Sequence, residues 1–325
     1  MLFIRNHLTL LMFVLPTVVG GTTFAADKDS GSSATLYGSI SQGVVVTDRN
    51  KEEKTRADYL SDHVRVGIKG EEALGNGLQA FFNIYMTHKE KKESSGLNGL
   101  REGYIGLKGN FGKLTLGRQA TVWKSYMGKS VFDDAAIGLA RPGKVIRYDL
   151  DKIGGSGFKF AVDGILDGRH EVIKGGKTRA FNAYDAAIGY KGHGLDTSLG
   201  YQRTSVDAIE TELGGKTNEI IGASIAYTPF ENKDKKQSLE LAFDYQHHAS
   251  FGDFFATSAD YSFGSQKLRA GWEMLDYDKQ RNWQQFHLGH RYYFSKRTFA
   301  EVKGAYRTQG DEHSYLTKIL LRHEF

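Results

Sequence analysis

No cysteine occurs anywhere in the 325-residue chain. That excludes a disulfide framework, a thiol nucleophile and thiolate metal ligands. Proline is nearly missing as well, with 3 residues against 39 glycines. With 17 tyrosines and 20 phenylalanines, the profile suits many strands and few helices. Beyond the first 25 residues no apolar run approaches the ~20 residues of a spanning helix. Mean hydropathy is −0.44. Taken alone that suggests a soluble protein, yet it suits a transmembrane β-barrel equally, because there only every second side chain meets lipid. One-sided charge is lacking too: the formal net charge of +5 is small and scattered, which argues against a nucleic-acid partner.

Chemical motifs are also missing. Gly128-Lys129-Ser130, Gly176-Lys177-Thr178 and Gly215-Lys216-Thr217 resemble the end of a phosphate-binding loop, but its first glycine would fall on Trp123, Glu171 and Glu210. Gly75-Asn76-Gly77 with Ala80 mimics a dinucleotide fingerprint but links two strands. His247 and His248 are neighbours on a strand, so they point to opposite faces and share no metal. Neither HExxH nor GxSxG occurs. The reading is of a protein that is not an enzyme and takes no cofactor or metal.

What is present begins with residues 1–25, read as a secretory signal. Arg5 is the positive region, Leu8 to Val19 the apolar region, and Thr23-Phe24-Ala25 a cleavage site, leaving 26–325 as the mature domain. From Thr35 onward apolar and polar residues alternate. Val64, Val66 and Ile68 interleave with Arg65, Gly67 and Lys69; Leu78, Ala80, Phe82, Ile84 and Met86 interleave with Gln79, Phe81, Asn83, Tyr85 and Thr87. A period of two marks a strand with one apolar and one polar face. About sixteen such segments are read: 35–46, 62–70, 78–88, 101–109, 113–119, 144–150, 157–166, 182–191, 195–204, 218–228, 237–248, 254–263, 266–276, 283–294, 298–308 and 314–325.

Their connections alternate in length. Asn110–Gly112, Gly192–Gly194, Gly264–Ser265 and Ser295–Arg297 are tight; Thr47–Ser61, Lys89–Leu100, Asp167–Phe181 and Ser205–Thr217 are long and polar. Short turns at one end and long loops at the other are how outer-membrane barrels are built, and closure removes edges that hydrocarbon cannot satisfy. Phe254-Phe255, Trp283, Tyr292-Tyr293-Phe294 and Tyr227 with Phe230 are read as interfacial girdles. One stretch breaks the rhythm: Ala120–Pro142 is long, mixes apolar and charged residues, and holds Asp133-Asp134. Its apolar content argues against disorder and for a loop that packs on something.

Four stretches carry a family resemblance: ATLYGSISQGV, VRVGIKGEEALGNGLQAFFNIY, REGYIGLKGNFGKLTLGRQ, and FSKRTFAEVKGAY with the ending LLRHEF. The chain resembles the general porins of Gram-negative outer membranes, most closely the neisserial and Bordetella-like branch. That resemblance implies an all-β, sixteen-stranded antiparallel transmembrane β-barrel whose third long extracellular loop, here 120–142, folds into the lumen. It implies an integral outer-membrane channel for passive diffusion of small hydrophilic solutes and ions, with a sugar- or phosphate-specific channel as the alternative and a barrel enzyme behind it. Homotrimerisation, contact with outer-membrane lipid and lipopolysaccharide, and recognition of the terminal Phe325 by the barrel assembly machinery follow from the same resemblance.

It further implies a constriction in which Asp133 and Asp134 face basic wall residues. Arg65 matches the family's strand-two arginine, opposite in parity to Val64, Val66 and Ile68. Arg147 follows the loop and shares a face with Val145 and Asp149. Arg101 matches by position, but alternation puts it with Ile105 and Leu107: either those two line the wall under the loop, or Arg101 is outside the pore. Arg118, near the loop's base, is the fourth candidate. Tyr37, Phe81 and Tyr85 share the polar face and supply the feature a sugar channel would use.

Overall fold

The computed structural model describes residues 31–49, 55–88, 99–130, 138–166, 181–204, 218–249, 252–277 and 282–325. The candidate signal peptide 1–25 and the Asp133-Asp134 pair lie outside the described residues. The strands are β1 (Ser33–Arg49), β2 (Arg56–Gly75), β3 (Leu78–His88), β4 (Leu100–Gly109), β5 (Gly112–Arg118), β6 (Val145–Leu150), β7 (Phe158–Leu166) and β8 (Phe181–Gly192). They continue as β9 (Leu195–Thr204), β10 (Asn218–Asn232), β11 (Gln237–His248), β12 (Gly252–Phe263), β13 (Gln266–Tyr277), β14 (Trp283–Tyr293), β15 (Thr298–Gln309) and β16 (Glu312–Glu324). Each strand pairs antiparallel with its chain neighbours, and β1 pairs with β16, so the sheet closes into a barrel. One short helix, α1 (Val122–Tyr126), sits in the connection from β5 to β6.

The seam joins the two ends of the chain. Gly38 N–H donates to the Phe325 carbonyl at 3.0 Å, and Phe325 N–H returns the bond at 3.1 Å. A Cβ on Gly38 would fall 2.5 Å from the Phe325 ring, so this glycine lets the terminal aromatic lie flat across the first strand. Closure gives every strand a partner on both sides, as an apolar solvent requires of backbone groups.

Alternation sets the two faces. Leu36, Ile68, Ile105, Leu199, Leu288 and Ile319 are exposed on one side, with Leu288 67% accessible. On the other side lie buried Ser39, Thr115, Asp163, Asp185, Ser224 and Asp244. A closed sheet with this division turns its apolar face outward and its polar face to the bore.

The strand reading from sequence agrees closely with these spans and departs where polar sequence keeps pairing. β1 and β2 continue beyond the expected ends, with Val44 opposite Tyr59 and Val46 opposite Ala57, past a register shift after Ser41. Charge in Arg56–Asp58 suggested a loop, but a hairpin standing clear of lipid needs no apolar face. β10 likewise runs past Pro229, because a bulge between Tyr227 and Phe230 absorbs the missing proline N–H.

The aromatic reading divides. Tyr227, Phe230, Tyr292 and Phe294 are exposed near the short turns, where Phe230 meets Tyr261 and Tyr292 meets Phe294 edge-on. Phe254 and Trp283 are not girdle residues: they are buried in one cluster with Ala256 and Leu275. Parity explains it, since Phe254 shares its face with inward Asp260, and the Arg307 guanidinium covers Trp283 at 4.7 Å.

Closure predicts heat-modifiable migration. Unboiled protein in detergent should run at a different apparent mass from boiled protein on a denaturing gel; identical mobilities would overturn the closed barrel.

Candidate functional site

The connection after β5 meets the inward face of β7 to β11. Thr121 caps α1: its Oγ1 accepts from Lys124 N–H at 3.1 Å and donates to the Leu139 carbonyl at 2.6 Å. The first turn of a helix leaves N–H groups without partners, and here wall carboxylates take them. Val122 N–H donates to Asp163 at 2.6 Å and Trp123 N–H to Asp185 at 3.0 Å. Farther on, Gly128, Lys129 and Ser130 N–H groups all donate to Asp244, at 2.9, 3.2 and 2.6 Å. The hydroxyls of Ser130 and Ser224 also donate to Asp244. The return limb is tied similarly, with Leu139 N–H on Gln202 Oε1 at 2.8 Å and Gln202 itself donating to Asp185.

Apolar contact adds to this. Val122, Trp123, Tyr126 and Met127 are buried with Ala161, Ala187 and Ile220. Small residues clear the floor: a Cβ on Gly222 would meet the Trp123 ring at 2.8 Å, and one on Gly200 would meet Met127 at 3.0 Å. Gly138 has φ +125° and lies against the other side of Trp123, where a Cβ would fall 2.8 Å from the indole. Burial pushes the Tyr126 phenol up to about 12, with the Asp149 charge adding to the effect. It therefore stays neutral beneath Lys159, whose ammonium lies 4.9 Å from the ring centroid.

The sequence candidates fall in different places. Arg147 is buried under the loop, paired with Asp149 at 2.6 Å and donating to the Ala120 carbonyl at 2.9 Å and Ser125 Oγ at 2.7 Å. Its geometry is that of a loop anchor. Arg118 donates to the Arg141 carbonyl at 2.9 Å, on the parity of outward Leu114 and Leu116. Arg65 is inward, opposite Ser39 in register. Arg101 occupies a bulge between the pairs Tyr85–Glu102 and Met86–Leu100. Ile105 and Leu107, 60% and 40% exposed, face outward, so they do not line a wall under the loop.

Several inward charges escaped the sequence reading. In a ring of sixteen strands β8 lies across from β16, so the wall facing α1 runs from β15 through β16 to β1 and β2. Lys303 and Lys318 are register partners there. Arg322 pairs with Glu324 at 2.8 Å, and next to them Arg291 pairs with Glu301 at 2.9 Å. The signal was available: Lys318, Leu320 and Arg322 alternate with outward Ile319, Leu321 and His323. A serine–histidine contact was also missed. Ser39 Oγ and His63 lie 3.0 Å apart, but 24 positions apart in the chain. Both are at most 3% exposed.

The Gram-negative porin family matches residues 9–312. The major outer membrane protein P.IB of Neisseria meningitidis serogroup B is 28% identical, over 90% of this chain and 95% of its own length. An outer membrane porin protein of Bordetella pertussis is 25% identical, over 93% and 97% respectively. Among solved structures, an anion-selective porin from Comamonas acidovorans superposes with TM-score 0.69 at 20% identity, covering 90% of this chain and all of that one. Sixteen closed strands, an apolar exterior, a polar bore and a match along nearly the whole chain have one reading: the chain belongs to the Gram-negative porin family and is an integral β-barrel channel of the outer membrane.

Proposed function

We propose that the clamped β5–β6 connection narrows the bore and that small hydrophilic solutes and ions diffuse past it. The observation that carries this is the set of N–H bonds from residues 122–130 to Asp163, Asp185 and Asp244 on the polar wall. A segment whose N–H groups are held by inward side chains at five of the nine positions from 122 to 130 occupies lumen cross-section. On this reading Asp133 and Asp134 belong to the same segment and oppose Arg65 and the basic wall of β15 and β16. Arg147 and Arg118 act on the loop's position, and Arg101 stands apart. Opposed charges in a low-dielectric passage concentrate the field and order dipolar water, favouring polar solutes.

The protein needs no catalytic group for this, and we take it not to be an enzyme. Residues 1–25 direct export. The outward face meets lipid and lipopolysaccharide, Phe325 is offered to the assembly machinery, and three copies associate; a solved porin of Vibrio cholerae with TM-score 0.65 is described as a trimer form. A second reading, a channel with a sugar preference, is favoured by the inward aromatic group of β1 to β4.

Two measurements test the constriction. Asp244→Ala removes the acceptor of three loop N–H groups, and a buried group left without a partner costs ~1–3 kcal/mol. The loop should loosen, giving larger single-channel conductance and faster entry of larger sugars in liposome swelling, while the barrel stays heat-modifiable; unchanged conductance would count against the clamp. Asp133→Asn combined with Asp134→Asn should move the zero-current potential under a salt gradient toward anion preference. An unmoved potential would place those carboxylates away from the ion path.

A further inference from the structure

Apart from Glu102, which pairs with Arg141 of the loop's return limb, the side chains on the inward wall of β1 to β5 near the short turns serve neither the loop clamp nor the basic wall. Tyr37 and Tyr85 stack with centroids 5.1 Å apart, and Phe81 meets Tyr104 at 6.4 Å. These rings lie down on glycines. A Cβ on Gly67 would fall 2.7 Å from Tyr37, and one on Gly106 would fall 2.4 Å from Phe81. Tyr37, Phe81 and Tyr104 line a cavity of about 460 Å³, with Lys108 and Lys113 over the Phe81 ring. That size lies within the ~300–1,000 Å³ of small-molecule sites.

Charge around the rings is uneven. Lys108 is paired with Glu71 at 2.8 Å. Lys69 lies 5.4 Å from the Tyr37 centroid and Lys113 5.5 Å from that of Phe81. Neither has a carboxylate partner among the described residues. Beside them Tyr37 OH donates to Asn83 at 2.6 Å, and Glu102, paired with Arg141 at 3.0 Å and accepting from Asn83 at 3.3 Å, lines the same cavity with lone pairs to spare. The surface thus offers flat aromatic faces, acceptors for hydroxyl groups and two cations without counter-charges.

Resting on the channel reading, we propose that this wall is a binding subsite for a monosaccharide acid, a pyranose ring bearing a carboxylate. The C–H face of the sugar is slightly positive and complements the negative face of Phe81 or Tyr37. Its hydroxyls donate to Glu102 and Asn83, and its carboxylate makes charge-assisted bonds to Lys69 and Lys113. An aromatic acid would use the rings and lysines but has no donors for the acceptors; a neutral sugar would leave the cations unused.

The test is block of ionic current through the membrane-inserted protein in potassium chloride, with glucuronate, glucose, benzoate and acetate added in turn. Glucuronate should reduce current at concentrations about tenfold lower than the other three, the scale of one ~1.4 kcal/mol contact. Phe81→Ala, and separately Lys69→Gln with Lys113→Gln, should each raise the blocking concentration of glucuronate about tenfold while channels still open in potassium chloride. Equal block by all four solutes, stronger block by benzoate, or indifference to both variants would overturn the subsite with the channel intact. Absence of potassium chloride conductance in the unsubstituted protein would overturn the channel reading beneath it.

Discussion

Backbone N–H and C=O groups in hydrocarbon have no water to turn to, and the whole molecule follows from that. A sheet meets the condition only if its edges meet, and here they meet at the pairing of Gly38 with Phe325. Closure then separates side chains by parity, so each strand must be apolar at every second position and free at the others. That freedom explains a mean hydropathy of −0.44 in a protein that lives in a membrane. The low value reflects a polar bore, with lipid meeting half the side chains of each spanning strand.

The same constraint returns inside the barrel in another form. The described connection between β5 and β6 leaves the ladder, so its N–H groups lose strand partners yet are buried against the wall. Carboxylates answer it. Asp163 and Asp185 take the first N–H groups of α1, where the positive end of a helix favours negative charge. Asp244 takes three more in a row. Gly200 and Gly222 complete the fit by leaving space for Trp123 and Met127. Five residues on five strands, far apart in sequence, thus hold one segment in place.

This explains what sequence alone could and could not reveal. Strand number, order and parity were legible because a period of two is local: Leu78–His88, Leu195–Thr204 and Gln237–His248 are bounded by turns that the residues announce. Arg65 and Arg147 were placed on the right face for the same reason. The role of Arg147 was not legible, because its bonds to Ala120 and Ser125 depend on where the loop lands. Asp163, Asp185 and Asp244 read simply as polar strand positions, since nothing local marks an aspartate as the acceptor for a backbone 41 to 116 residues away. Phe254 and Trp283 were misassigned through proximity to strand ends, when parity already set Phe254 with Asp260 on the inward face.

The clamp also changes how charge in the bore should be counted. By parity alone, the half of the wall from β6 to β11 looks strongly acidic. Yet Asp163, Asp185 and Asp244 are at most 6% exposed, and at least one oxygen of each accepts from backbone N–H groups of the loop. Asp149 is occupied by Arg147 and Asp196 by three lysines, the nearest at 3.1 Å. A carboxylate engaged in this way holds the loop rather than a passing cation. Arg65 and Lys318 on the facing wall remain half-buried rather than sealed. Formal counts therefore overstate the negative side of the described bore.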